Sequence, residues 1–126
     1  MLPATHYKNW FPTILWMILI FIVSSIPSLK VTNNSVLQNL INNLGHFTEY
    51  AVLTLLTRRS LKLQGTQDHL SFRSFSFSFL YALSDEFHQH FVPGRTMDPH
   101  DLLFDALGSL IALLFLTTYY QLRTTN

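Results

Sequence analysis

Acidic side chains are concentrated in one short segment of this chain, between two strongly apolar stretches. Of the seven Asp and Glu residues, five fall between positions 85 and 105. These five are Asp85, Glu86, Asp98, Asp101 and Asp105. Burying carboxylates beside membrane-like segments is costly, so their presence there indicates a specific role. We therefore expect the functional site to involve this segment.

Helical spacing places these acids with other polar residues in three sets, each of which projects from one face of a helix. The sets are His46, Glu49 and Tyr50, then Asp85, His88 and Gln89, then Asp101 and Asp105. If the three faces point inward, carboxylates, imidazoles and a guanidinium surround one polar cavity. Such a cavity could activate a nucleophile, protonate a leaving group or hold a divalent cation.

Two of these patterns also have the spacing of metal ligands on helices. They are His-x-x-Glu at 46 and 49 and Asp-x-x-His at 85 and 88, which are related to the carboxylate and histidine pairs of metal sites in helix bundles. Two-residue patterns arise often by chance. The sequence therefore favours a metal-free acid/base or hydrogen-bonded site, identifies no cofactor, and leaves a divalent metal as an open alternative.

Asp98, Asp101 and Arg95 have simpler structural explanations as well. Asp98 precedes Pro99, which predicts that Asp98 is the N-cap of a helix. Asp101 lies in the first turn of that helix, where an acid interacts favourably with the helix dipole. Arg95 follows a Pro-Gly turn that could aim its guanidinium at a phosphate or at a carboxylate of the chain. Asp105 lies one turn deeper, so capping does not account for it.

The composition predicts an integral membrane protein. Of the 126 residues 48% are hydrophobic and only 12% are charged, and the apolar residues form four separate stretches. The formal net charge of +1 gives no support for nucleic-acid binding. The chain has no cysteine, which excludes disulfides and thiolate metal sites.

We predict an all-α fold, a membrane-spanning four-helix bundle that forms a single domain over residues 1–126. The helices are expected at about 10–27, 36–58, 71–90 and 99–120. Pro12 would lie in the first turn of the first helix, and the second would end near Arg58 and Arg59. The run from 71 to 79 alternates serine and phenylalanine like a strand, but an unpaired strand cannot satisfy its backbone in lipid, so we predict a helix.

The distribution of basic residues predicts the orientation of these helices. With the N- and C-termini in the cytoplasm, six of the eight Lys and Arg residues are cytoplasmic, as the positive-inside rule favours. Lys30 and Arg95 are then outside. The same arrangement brings the three polar sets to the outer end of the bundle, together with Ser24 and Ser25 of the first helix. The sequence therefore predicts a multi-pass protein of the inner (cytoplasmic) membrane.

The spaced motifs together resemble the VanZ-like family of small bacterial membrane proteins. They are Gly45-His46-Phe47-Thr48-Glu49-Tyr50, Ser84-Asp85-Glu86-Phe87-His88-Gln89, Phe91-Val92-Pro93-Gly94-Arg95, and Asp101 to Asp105 with Gly108. The resemblance implies four transmembrane helices and a cell-envelope role, and the family is named for a member linked to teicoplanin resistance. Asn42 and Asn43 depart from the pattern, because relatives often carry an Asp-Lys pair there.

Residue roles follow from the polar sets and from this resemblance. The expected function is binding, or chemical modification, of an envelope or glycopeptide-related molecule with a lipid or phosphate part. The candidate catalytic residues are His46, Glu49, Asp85 and His88, where an imidazole would act as general base and a carboxylate would orient it or serve as acid. The candidate substrate-binding residues are Tyr50, Glu86, Gln89, Arg95, Asp101 and Asp105.

Whether the chain is an enzyme stays open at this stage. In the alternative, the same polar residues form a helix-packing or partner-docking network without catalysis. A proton-coupled transporter is less favoured, because four short helices without a repeat offer little for alternating access unless the protein oligomerises. The expected partners are the lipid bilayer and a lipid-linked envelope molecule, and a homo-oligomer is left open.

Overall fold

The computed structural model describes residues 4–27 and 30–124, apart from the side chains of residues 4–6. It consists of four α-helices, and no strand occurs in these ranges, so the all-α prediction is confirmed. The helices are α1 (Ala4–Ser24), α2 (Ser35–Leu63), α3 (Leu70–Gln89) and α4 (Pro99–Thr124). They run alternately up and down. Helix α2 contacts each of the other three helices and packs most extensively on α4.

Helix α1 begins at Ala4, earlier than the sequence predicts, so the expectation that Pro12 lies in a first turn is wrong. Pro12 is inside the helix. The segment before it is held against the end of α2, where the Ser60 hydroxyl donates a 2.8 Å hydrogen bond to the carbonyl of Asn9. The Ser60 and Thr13 hydroxyls also lie 2.8 Å apart, both fully buried. These contacts with α2 explain why the polar N-terminal segment is helical.

Helix α2 continues past Arg58 and Arg59 to Leu63, so the expected end at the two arginines is also wrong. Arginine is a good helix former and does not stop a helix. The stop comes from Gly65, whose φ of 84° is left-handed and whose N–H donates to the carbonyl of Lys62.

The serine and phenylalanine run is helical, as predicted. Ser74 and Ser78 lie one turn apart and are fully buried, whereas Phe72 is exposed. Ser74 donates to the carbonyl of Leu70 at 2.8 Å, so the hydroxyl needs no partner from another helix. The alternation thus places small serine side chains toward the bundle and bulky rings on the remaining surface.

The start of α4 also agrees with the sequence. Pro99 is its first residue, and the Asp98 carboxylate accepts a 2.8 Å hydrogen bond from the backbone N–H of His100. The sequence therefore identified the cap and the proline at the first helical position correctly.

The interior of the bundle is unusually polar, and its outside is apolar. The apolar core contains Ile20, Tyr50, Leu53 and Ala82, while small hydroxyl residues fill much of the remaining buried space. Large apolar side chains are exposed along α1 and α4, including Phe11 and Phe115. Two helical segments, Tyr7–Ser24 and Pro99–Thr124, are long and apolar enough to cross a membrane. An apolar exterior of this kind suits lipid rather than water.

One glycine sets the distance between α2 and α4. Gly108 is buried against the backbone of Phe47. A Cβ atom at this position would lie 2.8 Å from the carbonyl carbon of Phe47 and closer still to its oxygen. Small residues allow this close backbone approach between membrane helices. Because His46 and Asp105 lie within one turn of this contact, it also fixes their separation.

Candidate functional site

The candidate site lies at the end of the bundle where α1 and α3 finish and where α4 begins. A cavity of about 460 Å³ opens there. Its lining is polar and includes two basic side chains, Lys30 and Arg95, and the carboxylate of Asp101. Five amide side chains also line it: Gln38, Asn39, Asn42, Asn43 and Gln89.

The buried carboxylate of Asp85 connects α1 and α3 beside this cavity. Its Oδ1 accepts a 2.6 Å hydrogen bond from the Ser24 hydroxyl, and its Oδ2 accepts one of 3.1 Å from the Gln89 side-chain amide. All three side chains are at most 5% exposed. Asp85 is therefore well satisfied by hydrogen bonds and anchors the end of α1 to α3.

Arg95 extends this chain of hydrogen bonds. One Nη1 N–H donates to Gln89 Oε1 at 3.4 Å, while Nε and Nη2 donate to the carbonyls of Ile26 and Val23 at 3.0 and 3.1 Å. The guanidinium thus binds carbonyls at the end of α1, and its link to Asp85 is indirect, through Gln89. A guanidinium has five N–H groups, so three such bonds leave two. These two make no hydrogen bond to the described residues, and the side chain lines the cavity.

His46 connects α2 to α4. Its Nδ1 lies 3.0 Å from Asp105 Oδ1, and its Nε2 lies 3.5 Å from Asp101 Oδ2. Asp105 is 2% exposed, whereas Asp101 is only half-buried. Asp105, which capping does not account for, is paired with a histidine in the structure. Asp105 orients the imidazole so that Nε2 faces the carboxylate at the cavity.

Glu86 is the most deeply buried acid of the group, at 1% exposed. Its Oε2 accepts a 3.1 Å hydrogen bond from the backbone N–H of Asp98, the residue that caps α4. Its Oε1 has no hydrogen-bond partner in the part of the chain that the structure describes. Glu86, His46 and Asp101 each offer one potential ligand atom, and these three atoms lie within 4.8 Å of one another.

The remaining predicted residues lie around these contacts. The half-buried His88 approaches the end of α1, with its Nε2 3.0 Å from the Ser25 hydroxyl. Glu49 is half-buried, and its backbone carbonyl accepts a 2.9 Å hydrogen bond from the indole of Trp16. Tyr50 is fully buried in the apolar core. Catalytic and substrate-binding roles for the ten candidates stay predictions.

Replacing Tyr50 by phenylalanine is expected to stabilise the protein by about 1 kcal/mol, since a buried hydroxyl without a partner costs free energy. Among the described residues the Tyr50 hydroxyl has no hydrogen-bond partner. Tyr81 provides the matched comparison, because its hydroxyl donates a 2.7 Å hydrogen bond to the carbonyl of Met17. Tyr81→Phe should destabilise by about 1 kcal/mol. Thermal unfolding in detergent measures the stability of both variants. A loss of stability in Tyr50→Phe would mean that the Tyr50 hydroxyl does make a stabilising hydrogen bond.

Apart from Gln89, the amide side chains of the cavity wall were not among the predicted site residues. Asn39, Asn42 and Asn43 follow helical spacing and lie on one face of the first turns of α2. Asparagine is a poor helix former away from caps, so three of them on one helical face were a signal that sequence reasoning could have used.

These observations define a helical membrane protein whose buried ionisable side chains gather at one end of the bundle. A family model described as VanZ/LLP1 matches residues 9–120. The chain therefore belongs to the VanZ/LLP1 family, and the resemblance inferred from its motifs is confirmed. Comparison with curated proteins and with solved structures finds no match.

Proposed function

We propose that this VanZ-like protein binds a phosphate-bearing lipid of the bacterial cell envelope in the cavity at the end of the bundle. The observation that carries the proposal is the cavity lining, in which Lys30 and Arg95 stand among five side-chain amides, with the carboxylates of Asp98 and Asp101 also in the wall. Cations and amide N–H groups are the donors that an anionic phosphate requires. The apolar surfaces of α1 and α4 lie in the same bundle and suit a lipid tail.

The orientation in the membrane supports an envelope ligand. In the proposed arrangement all four helices cross the inner membrane and both termini lie in the cytoplasm, because six of the eight basic residues are then inside. Lys30 and Arg95 are the two on the outside, so the cavity would open toward the envelope. The lengths of α2 and α3 also support a membrane crossing by each of them. The shorter of the two, α3, has 20 residues and is about 30 Å long.

Chemical modification of the ligand is the further step of the proposal. His46 would act as the general base, because Asp105 accepts from one of its ring nitrogens and leaves the other directed toward Asp101 at the cavity. Asp85 and Glu49 were predicted for the acid role. Asp85 already accepts two hydrogen bonds from Ser24 and Gln89, so it better suits a positioning role.

The alternative, a packing network without a ligand, is favoured by one specific observation. The bonds from Ser24 through Asp85 and Gln89 to Arg95 join three parts of the bundle and account for most of the polar atoms involved. Polar contacts of this kind between membrane helices contribute about 0.6 to 2 kcal/mol each. On this alternative, substitutions in the network lower stability and no ligand restores it.

Thermal unfolding of the detergent-solubilised protein separates the two candidates. A polyprenyl phosphate is expected to raise Tm by several degrees, and the same polyprenol without phosphate is not. Lys30→Gln should weaken binding by about tenfold, because one charge-assisted hydrogen bond is lost. Lys30 is exposed, so this substitution is expected to leave the fold intact.

Lys8→Gln is the matched control, since it removes the same charge from an exposed position on α1 that does not line the cavity. Equal Tm shifts with the phosphate and with the alcohol would mean that only the apolar tail binds, and would contradict the proposed recognition of phosphate. The absence of any shift, together with a large loss of stability in Arg95→Gln, would favour the packing network.

A further inference from the structure

We propose that His46, Glu86 and Asp101 form a binding site for a divalent transition-metal ion such as Zn²⁺ or Mn²⁺. The three residues come from α2, α3 and α4, and their ligand atoms lie within 4.8 Å of one another. In the sequence, the spacings typical of metal ligands joined two residues of the same helix. The cluster in the structure instead takes one residue from each of three helices.

The first support is the arrangement around His46. Its Nδ1 is 3.0 Å from Asp105 Oδ1, so an Nδ1–H tautomer donates to that carboxylate. The other nitrogen, Nε2, then carries a lone pair and faces Asp101 Oδ2 at 3.5 Å. Two acceptors facing each other need a proton or a metal ion between them. Histidines that bind metals commonly donate their second ring N–H to a carboxylate in this way, which fixes the tautomer.

The second support comes independently from Glu86. This side chain is 1% exposed, and its Oε1 has no hydrogen-bond partner within the described residues. The other oxygen, Oε2, is held by the backbone N–H of Asp98 at 3.1 Å. An unpaired carboxylate oxygen is costly when buried. A cation shared with His46 and Asp101 would satisfy it.

The chemistry of the three ligands indicates the class of ion. An imidazole nitrogen with two carboxylates suits Zn²⁺ or Mn²⁺, whereas Ca²⁺ takes oxygen ligands. The two ligand carboxylates balance a divalent charge. In a zinc site with bonds of about 2.0 to 2.2 Å the ligand atoms lie about 3.3 Å apart, so the cluster would contract slightly around the ion. Asp101 lines the cavity, which gives the ion a route in and leaves a coordination position facing it.

A metal ion on His46 Nε2 would take the lone pair that a general base needs, so this site and the proposed base role of His46 exclude each other. Binding of a lipid phosphate by Lys30 and Arg95 does not depend on the metal, so the site is tested with the metal alone. The untagged full chain in detergent is stripped with EDTA and then equilibrated with Zn²⁺, Mn²⁺ or Ca²⁺. Elemental analysis after gel filtration should find about one Zn²⁺ or Mn²⁺ per chain, with a rise in Tm of several degrees. Ca²⁺ is expected to bind at least about tenfold more weakly.

Two substitutions locate the ion. Glu86→Gln and Asp101→Asn should each lower the affinity for Zn²⁺ by at least about tenfold. Asp101 is only half-buried, so its variant tests the site even if Glu86→Gln fails to fold. Asp98→Asn is the matched control, because asparagine caps a helix as well as aspartate does, and its affinity should stay within about twofold.

Three results would overturn the site. No retention of Zn²⁺ or Mn²⁺ by the native chain would mean that a proton, and not a metal ion, lies between His46 and Asp101. Unchanged retention in Glu86→Gln and Asp101→Asn would assign the metal to other residues, such as the exposed His90 or His100. Tighter binding of Ca²⁺ than of Zn²⁺ would contradict a nitrogen ligand. Binding of polyprenyl phosphate to the metal-free protein tests the proposed function separately.

Discussion

Gly108→Ala is expected to lower the free energy of unfolding by about 3 kcal/mol, because the added methyl group has no space. The new Cβ would lie 2.8 Å from the carbonyl carbon of Phe47, and this neighbour is backbone that cannot rotate away. Relief requires α2 and α4 to separate. That movement would also pull His46 away from Asp105, so the pair that positions the imidazole would be lost with the packing.

The measurement is thermal unfolding in detergent, together with the amount of folded protein in membranes. Gly45→Ala is the matched control, since Gly45 is also inside a helix but a Cβ added there would meet no atom within 4 Å. Alanine there should stabilise the protein by about 0.5 to 1 kcal/mol through its higher helix propensity. Equal stability of the two alanine variants would contradict the close approach of α4 to the backbone of Phe47.

Asp85→Ala is the second substitution with a large expected effect, a loss of about 2 to 3 kcal/mol. The carboxylate accepts from Ser24 and from Gln89, and all three side chains are buried. Its removal leaves the Gln89 amide without that partner and disconnects α1 from α3. Because Gln89 also accepts from Arg95, the guanidinium at the cavity should lose part of its support.

A double-mutant cycle measures the contact itself. Asp85→Ala, Ser24→Ala and the double variant should give a coupling free energy of about 1 to 2 kcal/mol between the two residues. Asp68→Ala removes an acid from the exposed turn before α3 and is expected to change stability by less than about 0.5 kcal/mol. Additive effects of the Ser24 and Asp85 substitutions would contradict the 2.6 Å hydrogen bond.

The sequence predicted the features that depend on neighbours along the chain. The four helices, the Asp98 cap and the helical state of the serine and phenylalanine run all follow from local rules of backbone satisfaction and capping. The two wrong helix limits have different causes. The early start of α1 is supported by contacts of Ser60 with Asn9 and Thr13, which are not visible in that segment alone. The end of α2 follows a local signal, Gly65, which the prediction did not use.

The sequence left open how the candidate site residues pair with one another. Helical spacing grouped His46 with Glu49, and Asp85 with His88, because residues on one helix are the only neighbours that a sequence specifies. In the structure His46 instead meets Asp105, and Asp85 meets Ser24. These partners depend on how far one helix is shifted along another. That shift is set by tertiary contacts such as the one between Gly108 and Phe47.

The central position of α2 bears on how the chain enters a membrane. Only segments of α1 and α4 are apolar enough to cross by composition alone, within the described ranges. Helix α2 buries four polar side chains among the other helices: His46, Thr54, Thr57 and Ser60. In the proposed four-span arrangement α2 and α3 would therefore not partition into lipid one at a time, since unpaired polar groups there are costly. Biogenesis would then be cooperative, with α2 held at the insertion machinery until α4 has been synthesised.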